Sequence, residues 1–95
     1  MPKTEIERVH IVVQGRVQGV GFRFFTQSAA EELDLTGWVR NRADGSVEAE
    51  AEGPRKALEA WISRLRRGPG LSLVQDVEVS WHPSAARHIS FTIVD

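Results

Sequence analysis

The chain has 95 residues, with 12 Lys and Arg against 13 Asp and Glu, a formal net charge of −1, and no cysteine. This length predicts one domain covering residues 1–95, and the lack of cysteine excludes disulfides, thiolate catalysis and thiolate metal sites. The balanced charge gives no reason to expect nucleic acid or an anionic membrane as a partner. The N-terminus lacks the apolar core of a signal peptide and no apolar run could cross a bilayer, so a cytoplasmic location is expected. A monomer is expected because the domain is small and its sequence has no evident apolar patch.

The first two predicted elements are a strand and a helix. Residues 7–14 alternate between apolar and mixed positions, which predicts a strand with Val9, Ile11 and Val13 on its apolar face. Residues 22–33 then carry apolar side chains at helical spacing, which predicts a helix from Phe22 to Leu33. Asp34 follows this helix, and we expect it to adopt the left-handed conformation that ends many helices.

A glycine-rich loop joins this strand to this helix, and the stretch from Gln14 to Arg23 reads QGRVQGVGFR. Its glycines can take positive φ without steric cost, so successive N–H groups can point inward at the helix N-terminus and form an anion site. Arg23 could bind two oxygens of the same anion. The predicted phosphate-binding residues are Gly15, Arg16, Val17, Gln18, Gly19, Val20, Gly21, Phe22 and Arg23.

Spacing alone is equally compatible with a simple turn followed by a solvated arginine. The loop lacks the Lys-Ser or Lys-Thr pair of a P-loop and the acidic residue of a dinucleotide fingerprint. A nucleotide with magnesium is therefore not the predicted ligand.

The middle of the chain predicts a β-hairpin, with strands at Thr36–Asn41 and Ser46–Glu52. Residues 42–45 form the turn, in which Gly45 supplies the positive φ. In the second of these strands the valine and alanines should face inward. Glu48, Glu50 and Glu52 should face water, as a solubilising surface rather than a metal site.

The last third predicts a helix and two strands. Gly53-Pro54 should open the helix and Gly68-Pro69-Gly70 should end it. A strand at Gln75–His82, a turn at Pro83–Arg87 and a strand at His88–Val94 follow, the last with Ile89, Phe91 and Ile93 inward. The order βαββαββ predicts an α+β, ferredoxin-like open sandwich, an antiparallel sheet with two helices on one face.

Two segments carry a family resemblance. Gly15 to Arg23 resembles one signature of the acylphosphatases, which hydrolyse the carboxyl–phosphate bond of acyl phosphates to a carboxylate and inorganic phosphate. The sequence GWVRN at residues 37–41, followed by DGSV at 44–47, resembles the other, in the same order and at a similar separation. The resemblance implies the ferredoxin-like fold and hydrolysis of a small-molecule acyl phosphate, without a cofactor, a metal or a covalent intermediate.

The resemblance also implies roles for two residues. The family's loop arginine grips the phosphate and its asparagine holds the attacking water, which here are Arg23 and Asn41. The substrate's own phosphate is thought to accept the proton of that water, so His10 is interpreted as a structural or surface histidine. This chain departs from the family in ending Ile93-Val94-Asp95. Carboxylates there would disfavour phosphate if they lay near the loop, and they could pair with Arg23.

Two other functions share this element order. RNA-recognition domains are βαββαβ, and the stretch from Gly21 to Phe25 superficially resembles their aromatic motif. That motif belongs on the third strand, where this chain has glutamates that would repel phosphate. A regulatory module that binds a small anion without turning it over stays open, and turnover would distinguish it from an enzyme.

Overall fold

The computed structural model describes residues 5–84 and 88–95. In these ranges the elements follow the predicted order, and their bounds are β1 Ile6–Arg16, α1 Phe22–Glu32, β2 Thr36–Asn41, β3 Val47–Pro54, α2 Arg55–Arg67, β4 Leu73–Pro83 and β5 Phe91–Ile93. Neither helix has the length and apolar character needed to cross a membrane within the described ranges.

The five strands form one sheet in the order β4-β1-β3-β2-β5. The β1–β3, β1–β4 and β2–β3 pairings are antiparallel, whereas β5 runs parallel to β2. β5 runs opposite to β4, as it would in a hairpin, but it lies at the other edge of the sheet. Its neighbour there, β2, also runs opposite to β4, so β2 and β5 are parallel. The predicted α+β, ferredoxin-like arrangement is confirmed, with this parallel edge strand as its exception.

The core lies between one face of the sheet and the two helices. The predicted apolar face of β1 is fully buried there, as are the inward-facing residues of β3. Trp61 of α2 is the largest fully buried side chain, and its Nε1 donates a hydrogen bond of 3.2 Å to the carbonyl oxygen of Thr26 in α1. This bond satisfies the indole N–H and fixes the two helices side by side over the sheet.

Local backbone signals located several element ends correctly. β2 has the predicted bounds, α1 is followed by Asp34 at φ 56°, and α2 ends at Gly68. The start of α2 was predicted incorrectly. β3 continues through Pro54, which is the helix N-cap, so the helix begins at Arg55 and the proline stands one position before it.

The glutamates of β3 correct a second prediction. They lie on the face opposite the helices, as expected, but Glu50 and Glu52 are only 6% and 4% exposed. Arg8 Nη1 lies 3.1 Å and His88 Nε2 lies 2.8 Å from the Glu50 carboxylate, and Ser84 Oγ donates a 2.6 Å hydrogen bond to Glu52. The row is therefore a paired, covered layer rather than a surface exposed to water.

The final strand is shorter than predicted. Only Phe91–Ile93 pair with β2, and Ile89, predicted to face inward, is 97% exposed. Of the other two residues that were predicted to face inward in this strand, Phe91 is buried and Ile93 is 39% exposed. His88 instead approaches β3 from the face opposite the helices, so the segment before Phe91 belongs to the crossing connection. In the predicted turn Pro83–Arg87, Pro83 ends β4 and residues 85–87 lie outside the described residues.

Candidate functional site

Sheet topology brings the two signature segments together. Val47, the first residue of β3, is paired with Val13 of β1 on one side and with Asn41 of β2 on the other. Since both pairings are antiparallel, the end of β1, the end of β2 and the start of β3 meet at one end of the sheet. The glycine-rich loop and Asn41 are therefore neighbours although Arg23, at the end of the loop stretch, lies 18 positions before Asn41 in the sequence.

A cavity of about 210 Å³ lies at this end of the sheet. Its walls come from the glycine-rich loop, the first turn of α1 and the ends of β2 and β5. The lining residues are Val17, Gly19, Gly21, Phe22, Arg23, Phe24, Asn41 and Ile93. The structure thus brings Arg23 and Asn41 into one concave site, together with part of the predicted loop.

The start of α1 presents unpaired donors to this cavity. Gly21 is the helix N-cap, in the left-handed conformation at φ 79°, and no side chain from the described part of the chain caps the helix. The first N–H groups of a helix have no acceptor within it, and its N-terminus carries a partial positive charge. Within the described residues, the main-chain N–H groups of residues 18–21 also donate no main-chain hydrogen bond. These donors can bind the oxygens of an anion.

Arg23 lies in the first turn of α1 and is partly exposed. It forms no ion pair within residues 5–84 and 88–95, whereas Arg8, Arg40, Arg55 and Arg64 each pair with a glutamate. Asp95, considered from sequence as a partner of Arg23, lines a separate groove with Trp38 and Arg40. The guanidinium is thus a charged donor group not neutralised by the described part of the protein.

Asn41 is the last residue of β2, and its side chain lies on the same face as the buried Val39. Its Oδ1 is buried and accepts no hydrogen bond from the described residues. A buried acceptor without a donor costs about 1–3 kcal/mol, so native structures seldom leave one without a protein, water or ligand partner. The cavity therefore combines a cation and an acceptor that have no partner among the described residues.

Gln18 connects the loop to the β2–β3 turn and is not part of the cavity wall. Its Nε2 donates hydrogen bonds to the carbonyl oxygens of Arg42 at 2.8 Å and Ser46 at 2.9 Å. The turn has its own support, because Asp44 Oδ1 accepts from Ser46 N at 3.0 Å and from Ser46 Oγ at 2.5 Å. The hydrogen bonds from Ser46, more than the nearby Arg42, lower the pKa of Asp44 below 3.8.

The other predicted loop residues lie outside the cavity. Gly15 sits at the β-bulge between β1 and β4, and Arg16 pairs with Leu73 at the end of β1. Val20 packs against the hydrophobic core. These residues shape the loop from outside, and their side chains do not line the cavity.

Phe24 and Ile93 line the cavity although sequence reasoning did not place them in the site. A signal for Phe24 was present. Phe24 lies off the apolar stripe of α1, next to Arg23, so the helical pattern predicts that its large aromatic side chain faces solvent. Ile93 had no comparable signal, since its place depends on the parallel β2–β5 pairing.

His10 does not line this cavity. Its Nε2 lies 2.6 Å from Glu48 Oε2 on the face of the sheet opposite the helices, in line with its interpretation as a structural histidine. Burial raises the pKa of Glu48, but the hydrogen bonds from His10 and Arg40 outweigh it and the pKa is lowered overall. The described residues contain no group of three or more His, Asp or Glu side chains arranged to hold a metal ion.

Comparison with known proteins gives a consistent assignment. The acylphosphatase family profile matches residues 9–93. An acylphosphatase from Salinibacter ruber is 49% identical over 87 residues, which cover 92% of each chain. The crystal structure of the Bacillus subtilis acylphosphatase superposes with a TM-score of 0.91 at 45% identity, covering 94% of this chain and 99% of that one. A Coxiella burnetii acylphosphatase structure gives 0.85 at 34% identity, covering 95% and 94%.

These matches run from β1 through β5 and include both segments that meet at the cavity. Identity near one half over almost the full length of both chains exceeds what a shared fold alone requires. The chain therefore belongs to the acylphosphatase family.

Proposed function

We propose that this chain hydrolyses acyl phosphates in the cavity lined by Arg23 and Asn41. The activity follows from the family to which the chain belongs. The location rests on one observation: at one helix N-terminus, the same cavity is lined by a cation and by a buried acceptor for which residues 5–84 and 88–95 supply no ion pair and no donor. The reaction needs those two complementary groups, one for phosphate and one for water.

The phosphoryl group would bind beside residues 17–21 of the glycine-rich loop, against the main-chain N–H groups there and at the start of α1. Its negative charge is stabilised by the helix N-terminus, and the Arg23 guanidinium can donate two parallel hydrogen bonds to it. As the transition state forms, charge develops on the phosphoryl oxygens and on the leaving carboxylate. Donors fixed before the reaction stabilise that charge without reorganising.

The attacking water would be held by Asn41. Its Oδ1 can accept one O–H, which turns the oxygen lone pair of the water toward phosphorus and fixes it for in-line attack. The new O–P bond forms as the bond between phosphorus and the acyl oxygen breaks, and the acyl group leaves as a carboxylate. This leaving group is a weak base and needs no proton, while the phosphate accepts the proton of the water. The proposed route has no covalent intermediate and needs no metal or cofactor.

Hydrolysis of benzoyl phosphate, followed in the ultraviolet with a chelator present, tests this proposal. Arg23→Gln and Asn41→Ala should each lower turnover by roughly 10² to 10³, the usual cost of one preorganised donor or positioning group. Arg23→Lys should also be poor, because an ammonium keeps the charge but loses the two-pronged geometry. Arg66→Gln is the matched control, since Arg66 is exposed on α2 and lines a different groove from the one that contains Arg23 and Asn41.

Circular dichroism must show that each variant is folded. If folded wild type binds inorganic phosphate but turns over no acyl phosphate, the chain is the anion-binding module considered above and the enzymatic proposal is wrong. If wild type is active and Asn41→Ala is equally active, the role proposed for Asn41 is wrong while the activity stands.

We also propose that the chain acts as a single-domain monomer in the cytoplasm. The monomeric state rests on its small size and mixed surface charge, and the cytoplasmic location rests on its sequence character. Sedimentation velocity at micromolar concentration should give one species near 10.6 kDa, and cell fractionation should recover it with the cytosol. A stable dimer or a membrane-bound pool would contradict these assignments.

A further inference from the structure

The rim of the cavity is unexpectedly apolar. Phe24 is 68% exposed and Ile93 is 39% exposed, and both line the same cavity as Arg23. Phe22 and Phe91, which neighbour them in sequence, are almost completely buried. The chain thus places an exposed aromatic ring and a half-exposed aliphatic side chain beside a site for a charged group.

Both rim residues sit on elements that are fixed relative to each other. Gln27 Nε2 in α1 donates a 3.1 Å hydrogen bond to the carbonyl oxygen of Phe91 in β5. Phe91 packs edge-on against Trp61 with ring centroids 5.8 Å apart, and Val94 N donates a 2.9 Å bond to Val39 O just beyond Ile93. The distance between α1 and β5, and hence the width of the rim, is therefore set by the fold.

The reaction geometry determines what must lie at this rim. When the phosphoryl group is held by the loop and Arg23, the acyl group attached to it has to extend along the cavity wall toward solvent. Phe24 is next to Arg23 on α1, about 100° around the helix axis, so the two side chains leave the helix in different directions and both line the cavity. An acyl group leaving the phosphate site in that direction would meet apolar surface rather than water.

We propose that Phe24 and Ile93 bind the acyl group, and that the preferred substrates are acyl phosphates with aromatic or bulky aliphatic acyl groups. This inference rests on the proposed function and adds a substrate class to it. A shallow loop that holds only phosphate would not discriminate among acyl groups. An apolar rim favours the larger ones, because contact with it removes apolar surface from water.

The first test compares kcat/KM for benzoyl phosphate with kcat/KM for acetyl phosphate. Benzoate is a weaker base and a better leaving group than acetate, so wild type should favour benzoyl phosphate with or without the rim. The decisive result is that Phe24→Ala lowers the benzoyl-to-acetyl ratio about fivefold, in the range of one lost aromatic contact. Phe24→Leu, which retains part of the apolar area, should fall between them. Leu71→Ala, at another exposed apolar residue, should keep the wild-type ratio. The ratio does not depend on the amount of active enzyme, so partial unfolding of a variant cannot imitate the result.

The second test does not require turnover. Phenacylphosphonate and acetonylphosphonate resemble the two substrates but have a methylene in place of the scissile oxygen, and calorimetry measures their affinities. Wild type should bind the phenacyl compound about fivefold or more tightly than the acetonyl compound, and Phe24→Ala should remove most of that preference.

The two tests separate the inference from the function on which it rests. If the chain shows no turnover but prefers phenacylphosphonate through Phe24, the proposal that the apolar rim binds the acyl group stands and the proposal of hydrolysis is wrong. An active enzyme whose substrate ratio and phosphonate preference are the same in wild type and Phe24→Ala would retain hydrolysis and overturn the apolar rim.

Discussion

Replacing Gln18 by leucine tests whether the loop and the β2–β3 turn act as one unit. Gln18 Nε2 is the donor that joins them, to Arg42 O and Ser46 O. Asn41 is the residue directly before that turn. Leucine has nearly the same volume as glutamine, so the change removes the two hydrogen bonds without opening a large cavity.

The loss of stability should be small. Each carbonyl oxygen keeps another partner, since Gly45 N donates to Arg42 O at 3.2 Å and Arg42 N donates to Ser46 O at 2.8 Å. No buried acceptor is left without a donor, so only the net value of each bond, about 0.5–1.5 kcal/mol, is lost. The free energy of unfolding should fall by about 1–3 kcal/mol. For a domain of this size each 1 kcal/mol corresponds to roughly 4–8 °C in Tm.

The loss of activity should be larger than the loss of stability suggests. Without Gln18 the phosphate loop can shift relative to Asn41, and a misplacement of about 1 Å can cost about 10² in rate. We expect kcat for benzoyl phosphate to fall about 10- to 100-fold. KM should change less, because Arg23 and the N–H groups of α1 remain in place.

Gln14→Leu is the matched control. Gln14 Nε2 donates a 3.1 Å hydrogen bond to Glu78 Oε2 of β4, so the same substitution, close to the same turn, removes a bond that does not join the turn to the phosphate loop. Its kcat should equal that of wild type. If Gln18→Leu is destabilised as expected but retains wild-type kcat, then Gln18 does not position the site and the reasoning is refuted.

Two further predictions concern the sheet. Gly37→Ala should severely destabilise the protein, by roughly 3 kcal/mol or more. The reason is that φ at Gly37 is 152° and the new Cβ would stand 1.9 Å from Glu50 O. Urea unfolding measures the loss of stability, and a loss below about 1 kcal/mol would contradict this prediction. Burial raises the pKa of Glu50, but the hydrogen bonds from His88 and Arg8 outweigh it and the pKa falls below 4.5. The resulting stabilisation is fully present above the unfolded-state pKa and is lost as pH falls through the folded-state pKa. Unfolding free energies measured from pH 7 to 3 should therefore decline below about pH 4.5, less steeply in Glu50→Gln, and equal slopes would count against the pairing.

Sequence reasoning succeeded where local chemistry decides the structure. The alternation in β1 and the glycine at the hairpin turn are properties of a few adjacent residues, and both identified the right elements. The predictions that Ile89 faces inward and that Glu50 faces water were wrong for the same reason. Alternation indicates on which side of a strand a residue lies, but it does not indicate whether another part of the chain covers that side. Glu50 is covered by Arg8 and His88, whereas Ile89 precedes a strand that is only three residues long.

The residues of the candidate site likewise fall into two groups, those that the sequence indicated and those that it did not. Arg23 and Asn41 follow from the family resemblance, and the structure places both at one cavity without testing their roles. Phe24 and Ile93 were missed because no motif contains them. Their contribution depends on β5 reaching the edge of the sheet beside α1, a pairing between residues more than fifty positions apart in the sequence.

The position of Asn41 depends on the β2–β3 register. Asn41 faces the cavity because it pairs with Val47, and a slip of one residue would turn its side chain to the other face of the sheet, together with that of the buried Val39. The turn resists such a slip, since Asp44 accepts two hydrogen bonds from Ser46 and Gln18 binds both ends of the turn. The signature segment GWVRN followed by DGSV therefore specifies a functional residue together with the turn that fixes its orientation.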